Sequence, residues 1–291
     1  MTNPITAPGD GAPSPDQAAK AVAFQALHAR SGAFVIPNPW DAGAARILAA
    51  LGFEALATTS AGLAFTLGLR DGAAGRAATL ANARAIVDAT ALPVSADLEN
   101  GFGRSPESAA ETIRVAAEAG LVGGSIEDAS GDAAHPIYDH GHAVERVAAA
   151  VEAVRALPFP FMLTARAENF LHGRPDLDDT IRRLQAFERA GANVLFAPGL
   201  PSLDAIRAVC AAVSRPVNVL AGSGAAPSVA ALAGAGVRRI SLGSALSRTA
   251  LGALVQAACE VREQGTFGFA ADALPYAEAK GFMQPPGRDE P

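Results

Sequence analysis

The chain is poor in the residues that staple, anchor or charge a protein. Two of its 291 residues are cysteines, Cys210 and Cys259, far apart in Ala-rich stretches. Neither has the close spacing of a metal knuckle or redox pair. Both read as buried apolar residues, with a nucleophile as the alternative. The only lysines, Lys20 and Lys280, are terminal, which leaves none in the interior for Schiff-base chemistry and disfavours an aldolase of that kind. Charge is sparse, at 18% of residues, and leans acidic, with 23 basic against 29 acidic residues. With no basic cluster, nucleic acid and anionic lipid are poor partners and a small molecule is the better expectation. The longest uncharged run, Val217 to Val237, is interrupted by Gly222, Gly224, Pro227 and Gly234, so no membrane span is expected. Residues 1–18 are rich in Pro, Gly, Ala and Ser up to about Asp16 and show neither a basic start nor an apolar core. They read as a loose tail rather than a signal peptide, and a cytoplasmic location is the expectation.

Hydrophobic residues, in contrast, make up half of the chain. A chain of this length and composition can bury a large core, and the length is close to the ~250 residues typical of a (β/α)₈ barrel. Short apolar runs at Phe34–Ile36, Ala55–Thr59, Pro93–Asp97, Gly124–Glu127, Phe161–Arg166, Asn193–Ala197, Val217–Leu220 and Arg239–Leu242 read as strands buried on both faces. Amphipathic stretches separate them: Ala42–Leu51, Thr79–Thr90, Ser108–Ala119, Val144–Leu157, Asp178–Ala190, Ser202–Val213, Ser228–Ala235 and Leu246–Arg262. Gly52, Gly120 and Gly191 stand where left-handed helix ends are expected. The alternation defines an α/β fold of parallel βα units, either a barrel over residues 19–263 or a doubly wound sheet. The aromatic tail 264–291 is expected to pack on that body or on a neighbouring subunit.

Polar residues ending the strand runs would gather at the C-terminal rim, where barrel enzymes keep their chemistry. Asp97 and Glu99 flank Leu98, and two-residue spacing on extended chain sends both carboxylates the same way. Glu127 and Asp128 end the fourth run. Arg166 ends the fifth, with Glu168 two residues on. Converging carboxylates need a positive partner, and an oxygen-lined cluster suits a hard cation such as Mg²⁺. Arg166 either neutralises these acids or grips a substrate carboxylate in bidentate fashion.

Several motifs now carry a resemblance: Asn38-Pro39-Trp40-Asp41-Ala42-Gly43, Thr59-Ser60-Ala61-Gly62, Leu67-Gly68-Leu69-Arg70-Asp71, Asp97-Leu98-Glu99-Asn100-Gly101-Phe102-Gly103, Gly124-Ser125-Ile126-Glu127-Asp128 and Thr164-Ala165-Arg166. In this order, from about residue 30 to 245, they resemble the isocitrate lyase/phosphoenolpyruvate mutase superfamily. The resemblance implies a (β/α)₈ TIM barrel of the phosphoenolpyruvate/pyruvate-domain type with a C-terminal helical tail. It further implies Mg²⁺, or Mn²⁺ in its place, carried by Asp97, Glu99 and Glu127, with Asp71 supporting that network. Ser60, Ala61 and Gly62 would hold the carboxylate of a 2-oxo acid, Thr59 aligning as well as Ser60, and Arg166 would bind substrate. The chemistry implied is C–C or P–C cleavage or rearrangement beside a carbonyl, on a small 2-oxo or 2-hydroxy carboxylate or a phosphonate, in a homotetramer.

Two segments depart from the lyase pattern. Ser130-Gly131-Asp132-Ala133-Ala134-His135-Pro136-Ile137-Tyr138 stands where isocitrate and methylisocitrate lyases carry Lys-Arg-Cys-Gly-His, and Phe196-Ala197-Pro198-Gly199 replaces Phe-Pro-Glu. A tricarboxylate lyase is therefore not expected. His135, Tyr138, His140 and His142 in the loop after the fourth strand are candidates for proton transfer or merely solvated residues. Asn218 is a candidate substrate ligand or a turn-capping amide. Ala221-Gly222-Ser223-Gly224 and Gly243-Ser244 leave open a phosphate-binding isomerase or aldolase. A barrel that binds a metabolite without turnover is the third reading.

Overall fold

In the computed structural model, which describes residues 15–222 and 227–284, the eight apolar runs are eight parallel strands. They are β1 (Phe34–Ile36), β2 (Leu56–Ala57), β3 (Val94–Asp97), β4 (Gly123–Glu127), β5 (Met162–Arg166), β6 (Val194–Phe196), β7 (Val217–Leu220) and β8 (Arg239–Ser241). The helices are α1 (Pro15–Ala29), α2 (Ala42–Ala50), α3 (Ser60–Thr66), α4 (Gly75–Ala89), α5 (Pro106–Glu118), α6 (His140–Arg155), α7 (Leu177–Ala190), α8 (Leu203–Ala212), α9 (Val229–Gly234), α10 (Ala245–Gln264) and α11 (Tyr276–Phe282). The strand order β1-β8-β7-β6-β5-β4-β3-β2 runs round a barrel. A single backbone bond, Ala57 N–H to the Pro37 carbonyl at 3.1 Å, joins β2 to the end of β1. The fold is thus the (β/α)₈ barrel and not the doubly wound sheet.

Local chemistry explains the element ends. Asp41, Thr59, Ser105, Asp176, Ser202 and Ser228 each accept a backbone N–H in the first turn of the helix that follows. Gly52, Gly120 and Gly191 take φ of +85°, +87° and +112°, as helix-ending positions require. At Thr59 capping shortens the strand expected over 55–59: the hydroxyl bonds Gly62 N–H at 3.2 Å, so α3 begins where β2 stops.

Two elements extend beyond the sequence reading. The tail expected over residues 1–18 overlaps α1 from Pro15 onward, while residues 1–14 lie outside the described residues. Ala21, Phe24 and His28 recur at helical spacing on α1 and are buried. Phe24 lies so close to β4 that a Cβ on Gly123 would stand 2.8 Å from its ring, so α1 covers the end of the barrel opposite the acidic rim. The C-terminal segment folds back through α11, where the Met283 carbonyl accepts from Arg46 on α2 at 2.6 Å. Leu254, Val255, Phe267 and Tyr276 nevertheless remain exposed. Among the described residues no helix is long and apolar enough to cross a membrane.

His28 gives the barrel an acid-sensitive contact. Its Nδ1 donates to the Phe24 carbonyl at 2.8 Å, which leaves Nε2 as an acceptor facing Arg239 at 3.4 Å. Burial, aided by the Arg239 charge, pushes its pKa down to about 3. The folded state thus holds His28 neutral while the unfolded chain protonates near pH 6.5, so stability falls as pH drops below 6.5. The loss should be about 1.4 kcal/mol per pH unit, or about 2 kcal/mol between pH 6.5 and 5. Urea unfolding at pH 7 and pH 5 should show that His28→Gln removes this part of the acid sensitivity. An undiminished slope in that variant would assign it to other groups.

Candidate active site

Alternation along the strands decides what faces the barrel axis. Ser95 and Asp97 of β3, Ser125 and Glu127 of β4, and Thr164 and Arg166 of β5 occupy i, i+2 positions on one face. The parallel register sets Asp97 beside Ser125 and Glu127 beside Arg166. The predicted acids therefore meet, with the Arg166 guanidinium in their midst. Its Nη1 lies 2.9 Å from Asp97, its Nη2 3.2 Å from Glu127 and its Nε 2.9 Å from Glu168. The Phe196 ring packs 5.1 Å from the guanidinium carbon. Burial alone would lower the Arg166 pKa, but Glu168, Glu127 and Asp97 together raise it, so the charge is fixed.

One guanidinium cannot balance this rim. Asp97 and Asp71 repel the Glu99 charge, and Glu168, Asp97 and Glu99 repel that of Glu127. Burial first, then Asp97 and Asp71, push Glu99 up to about 7. Burial also drives Glu127 upward against the pull of Arg166. Glu99 Oε1 is buried without a hydrogen-bond partner, and the residue sits at φ +48°, a left-handed conformation that costs a non-glycine residue on the order of 1 kcal/mol.

These features fit a divalent cation. The donors are all hard oxygens, they outnumber the positive charges, and one buried oxygen is orphaned. Among the described residues no three acidic or imidazole side chains form a ready metal cage. Mg²⁺ does not need one, because it keeps several waters and binds through one or two carboxylates. Glu99→Gln should therefore raise stability in EDTA at pH 8 by on the order of 1–2 kcal/mol, with allowance for the partial solvent exposure of Glu99. The gain should shrink as pH falls below 7 and vanish only near pH 4.5, where the carboxyl is protonated in the unfolded chain as well, and Mg²⁺ should stabilise the variant less than the wild type. Thermal melts at the two pH values, with and without Mg²⁺, read this out, and an unchanged metal response would take Glu99 out of the cation site.

A cavity of about 190 Å³ opens at the rim and continues between the strands. Thr59, Ser60, Ala61, Asp71, Asp97, Arg166, Asn218 and Arg239 are among the residues that line it, whereas Glu99 and Glu127 are not. Ser60 N–H points to Asp97 Oδ2 at 3.4 Å, while the Thr59 hydroxyl is engaged in capping. Gly62 is buried beneath them. A Cβ there would come within 2.5 Å of Thr59 and 2.9 Å of Trp40, and its N–H is taken by Thr59, so its contribution is close packing.

Most of the other sequence candidates are placed elsewhere. His135 and Tyr138 do not line the cavity. The loop that carries them is pinned as a hairpin by the Ala129–Ile137 bridge and by bonds from Ser130 to the Pro136 and His135 carbonyls, leaving His135 on the surface and Tyr138 stacked against Arg146 and His142. His142 bonds the Arg104 carbonyl. Asn218 is buried on β7 and turned inward, its side chain joining Ser241 at 3.0 Å and Arg239 at 2.9 Å. Of the Gly243-Ser244 amides read as a phosphate cradle, Gly243 N–H is already taken, donating to Asn38 Oδ1 as does Leu242 N–H. Residues 223 and 224 of the other glycine-rich segment lie outside the described residues. Cys210 is half-buried, and burial pushes its thiol up to about 11, so it is no nucleophile at neutral pH.

Glu168, noted at the rim but given no role, and Arg239, read only as the start of a strand, were not among the sequence's site candidates. Glu168 is buried, held by Arg166 and close to Asp128, whose Oδ1 accepts the Glu168 N–H at 2.8 Å. Asp128 in turn pairs with Arg183 at 2.9 Å. The Arg166-x-Glu168 spacing was the signal for Glu168. An arginine opening an apolar strand was the signal for Arg239.

A parallel eight-stranded barrel with an acid-rich mouth and a cavity leading inward defines the class: a (β/α)₈ enzyme with its site at the C-terminal ends of the strands. The profile of the phosphoenolpyruvate phosphomutase family matches residues 24–262, and the chain belongs to that family, within the isocitrate lyase/phosphoenolpyruvate mutase superfamily. It is similar to an uncharacterized protein of Mycobacterium tuberculosis, 31% identical over 264 residues, covering 90% of this chain and 96% of that one. It is also 31% identical over 203 residues to 2-methylisocitrate lyase of Escherichia coli, covering 67% of each. A crystal structure from Burkholderia cenocepacia J2315, provisionally described as a lyase/mutase, shares 59% identity and a TM-score of 0.92 over 94% of this chain and 98% of that one. Crystalline 2,3-dimethylmalate lyase shares 26% identity and a TM-score of 0.82 over 91% and 95% of the two chains. The chain is an enzyme of this superfamily, of lyase type.

Proposed function

We propose that the protein is a Mg²⁺-dependent enzyme that cleaves a C–C or P–C bond in a small 2-oxo or 2-hydroxy carboxylate or phosphonate, by way of an enolpyruvate-like anion. The observation that carries the reading is the imbalance at the rim: several carboxylates, one guanidinium, and a buried Glu99 oxygen without a partner. Asp97, Glu99 and Glu127 would hold the cation, some of them through its waters, with Asp71 in support and Mn²⁺ able to replace Mg²⁺. When bound, the cation supplies an electron sink for charge developing on the substrate carbonyl oxygen. Ser60 and Ala61 border the cavity and would orient the substrate carboxylate, while Gly62 lets their turn pack tightly. Arg166 would keep the acids ionised and spaced and offer its remaining N–H groups to substrate. His135 and Tyr138 would act as proton donors only if their loop closed over the mouth.

Oxaloacetate acetylhydrolase, 25% identical to this chain with a TM-score of 0.81, has been crystallised with its product oxalate, a mimic of an enolpyruvate-type anion. That favours a 2-oxo dicarboxylate among the candidates. The catalytic unit would be the barrel, residues 19–263. The exposed apolar residues of α10 and the 264–291 tail would join subunits of a cytoplasmic homotetramer. Calorimetry with Mg²⁺ and Mn²⁺, followed by assays of oxaloacetate, phosphonopyruvate, methylisocitrate and dimethylmalate with and without EDTA, tests the proposal. Cation binding with metal-dependent turnover is expected. Absence of divalent-cation binding would overturn it.

A further inference from the structure

The two arginines that line the cavity are in opposite electrostatic states. Arg166 faces three carboxylates, whereas Arg239, 5% exposed, faces none. Its Nε donates to Asn218 Oδ1 at 2.9 Å, its Nη2 to Thr164 Oγ1 at 2.8 Å, and its Nη1 lies 3.4 Å from the Nε2 of neutral His28. These neutral partners take up three of the five N–H groups of a guanidinium. A buried charge without a counter-charge is costly, and burial lowers the Arg239 pKa to about 9. Barrel interiors are ordinarily filled by branched apolar side chains. Here Ala57, Ser95, Ser125 and Ser241 line the cavity, and these small residues leave space between Arg239 and the rim.

We propose that Arg239 is the floor of the ligand site and seats a second carboxylate of the substrate, with Asn218, Thr164 and His28 as positioning residues. Thr164, bonded to Arg239, and Arg166, bonded to the rim acids, are two residues apart on β5. That spacing corresponds to about 6.6 Å of strand rise, the reach of a dicarboxylate with a chain of a few carbons. The head of the molecule would lie among the acids and cation at the mouth, and its distal carboxylate would supply the counter-charge that Arg239 lacks. This narrows the class proposed above to dicarboxylates and rests on that reading for the placement of the head alone.

Malate and lactate share the 2-hydroxy acid head and differ in the distal carboxylate, so their affinities, measured by calorimetry with Mg²⁺ and again in EDTA, isolate the floor. Wild type should prefer malate by on the order of ten- to a hundredfold, the range of a charge-assisted contact. Arg239→Gln should close the gap from the malate side, and Arg239→Lys should keep part of it. Asn218→Asp places a carboxylate 2.9 Å from the guanidinium without changing side-chain shape. It should abolish the malate preference and raise the thermal midpoint of the ligand-free protein, so the test survives if Arg239→Gln does not fold. Equal affinity of wild type for both acids, or a malate preference unchanged in Arg239→Gln or Asn218→Asp, overturns the proposal. A malate preference that persists in EDTA, with no effect of Mg²⁺ on either acid, would sink the metal reading and leave the Arg239 site standing.

Discussion

Asp97→Ala is expected to lower Mg²⁺-dependent turnover by at least roughly two to three orders of magnitude while leaving the barrel folded. Asp97 is the acid that both lines the cavity and pairs with Arg166, and its carboxylate also lies 3.3 Å from Glu99 N–H and 3.4 Å from Ser60 N–H and Ser125 Oγ. Removing it takes one charge from the proposed cation site and unties the turns carrying Glu99 and Ser60. The fold should tolerate the loss, since Arg166 keeps Glu127 and Glu168 and the rim sheds one of its competing negative charges. Unfolding in EDTA should therefore change by no more than about 1 kcal/mol, because the lost pairing and the relieved repulsion among the remaining acids oppose one another. Turnover against Mg²⁺ concentration, measured beside a urea melt, separates the two effects. An unaltered rate in the variant would remove Asp97 from the cation site.

The contrast between what was legible in the sequence and what was not follows from how each residue is held. Strands buried on both faces declare themselves as apolar runs, and all eight appear where such runs stand. Asp97, Glu127 and Arg166 were legible because each ends a run, and a strand end in a parallel barrel has only one place to go. Arg239 was hidden by the same rule: it stands at the head of an apolar run, and nothing local reveals that its side chain meets His28, 211 residues away. Helix α1 was hidden in part by the Pro-, Gly- and Ala-rich residues before it, although Ala21, Phe24 and His28 keep helical spacing. His135 and Tyr138 are the reverse case. They follow the acidic strand end closely in sequence, yet hydrogen bonds within their own loop hold them away from the cavity. Nearness in sequence to a site predicts placement only where regular structure fixes direction.

The second large effect concerns the cation that the protein itself supplies. Arg166→Met should destabilise the metal-free protein at pH 7.5 by about 3–5 kcal/mol, the cost of removing one partner from a buried ion pair. The side chains of Asp97, Glu127 and Glu168 are 19%, 16% and 3% exposed, so water can replace little of the lost pairing. The sign of the pH dependence is decisive. Without the guanidinium, nothing opposes the burial and neighbouring negative charges that hold the folded-state pKa of Glu127 above its unfolded value. The penalty is then absent below the unfolded pKa, near 4, and grows as pH rises through the raised folded value. The variant should thus gain stability relative to wild type as pH falls from 7.5 toward 5, and millimolar Mg²⁺ should restore part of the loss at neutral pH by taking over the charge. Urea unfolding at three pH values, with EDTA or Mg²⁺, reads all three signs. A loss independent of both pH and metal would mean that Arg166 contributes packing against Phe196 and not charge, and the electrostatic account of the rim would have to be abandoned.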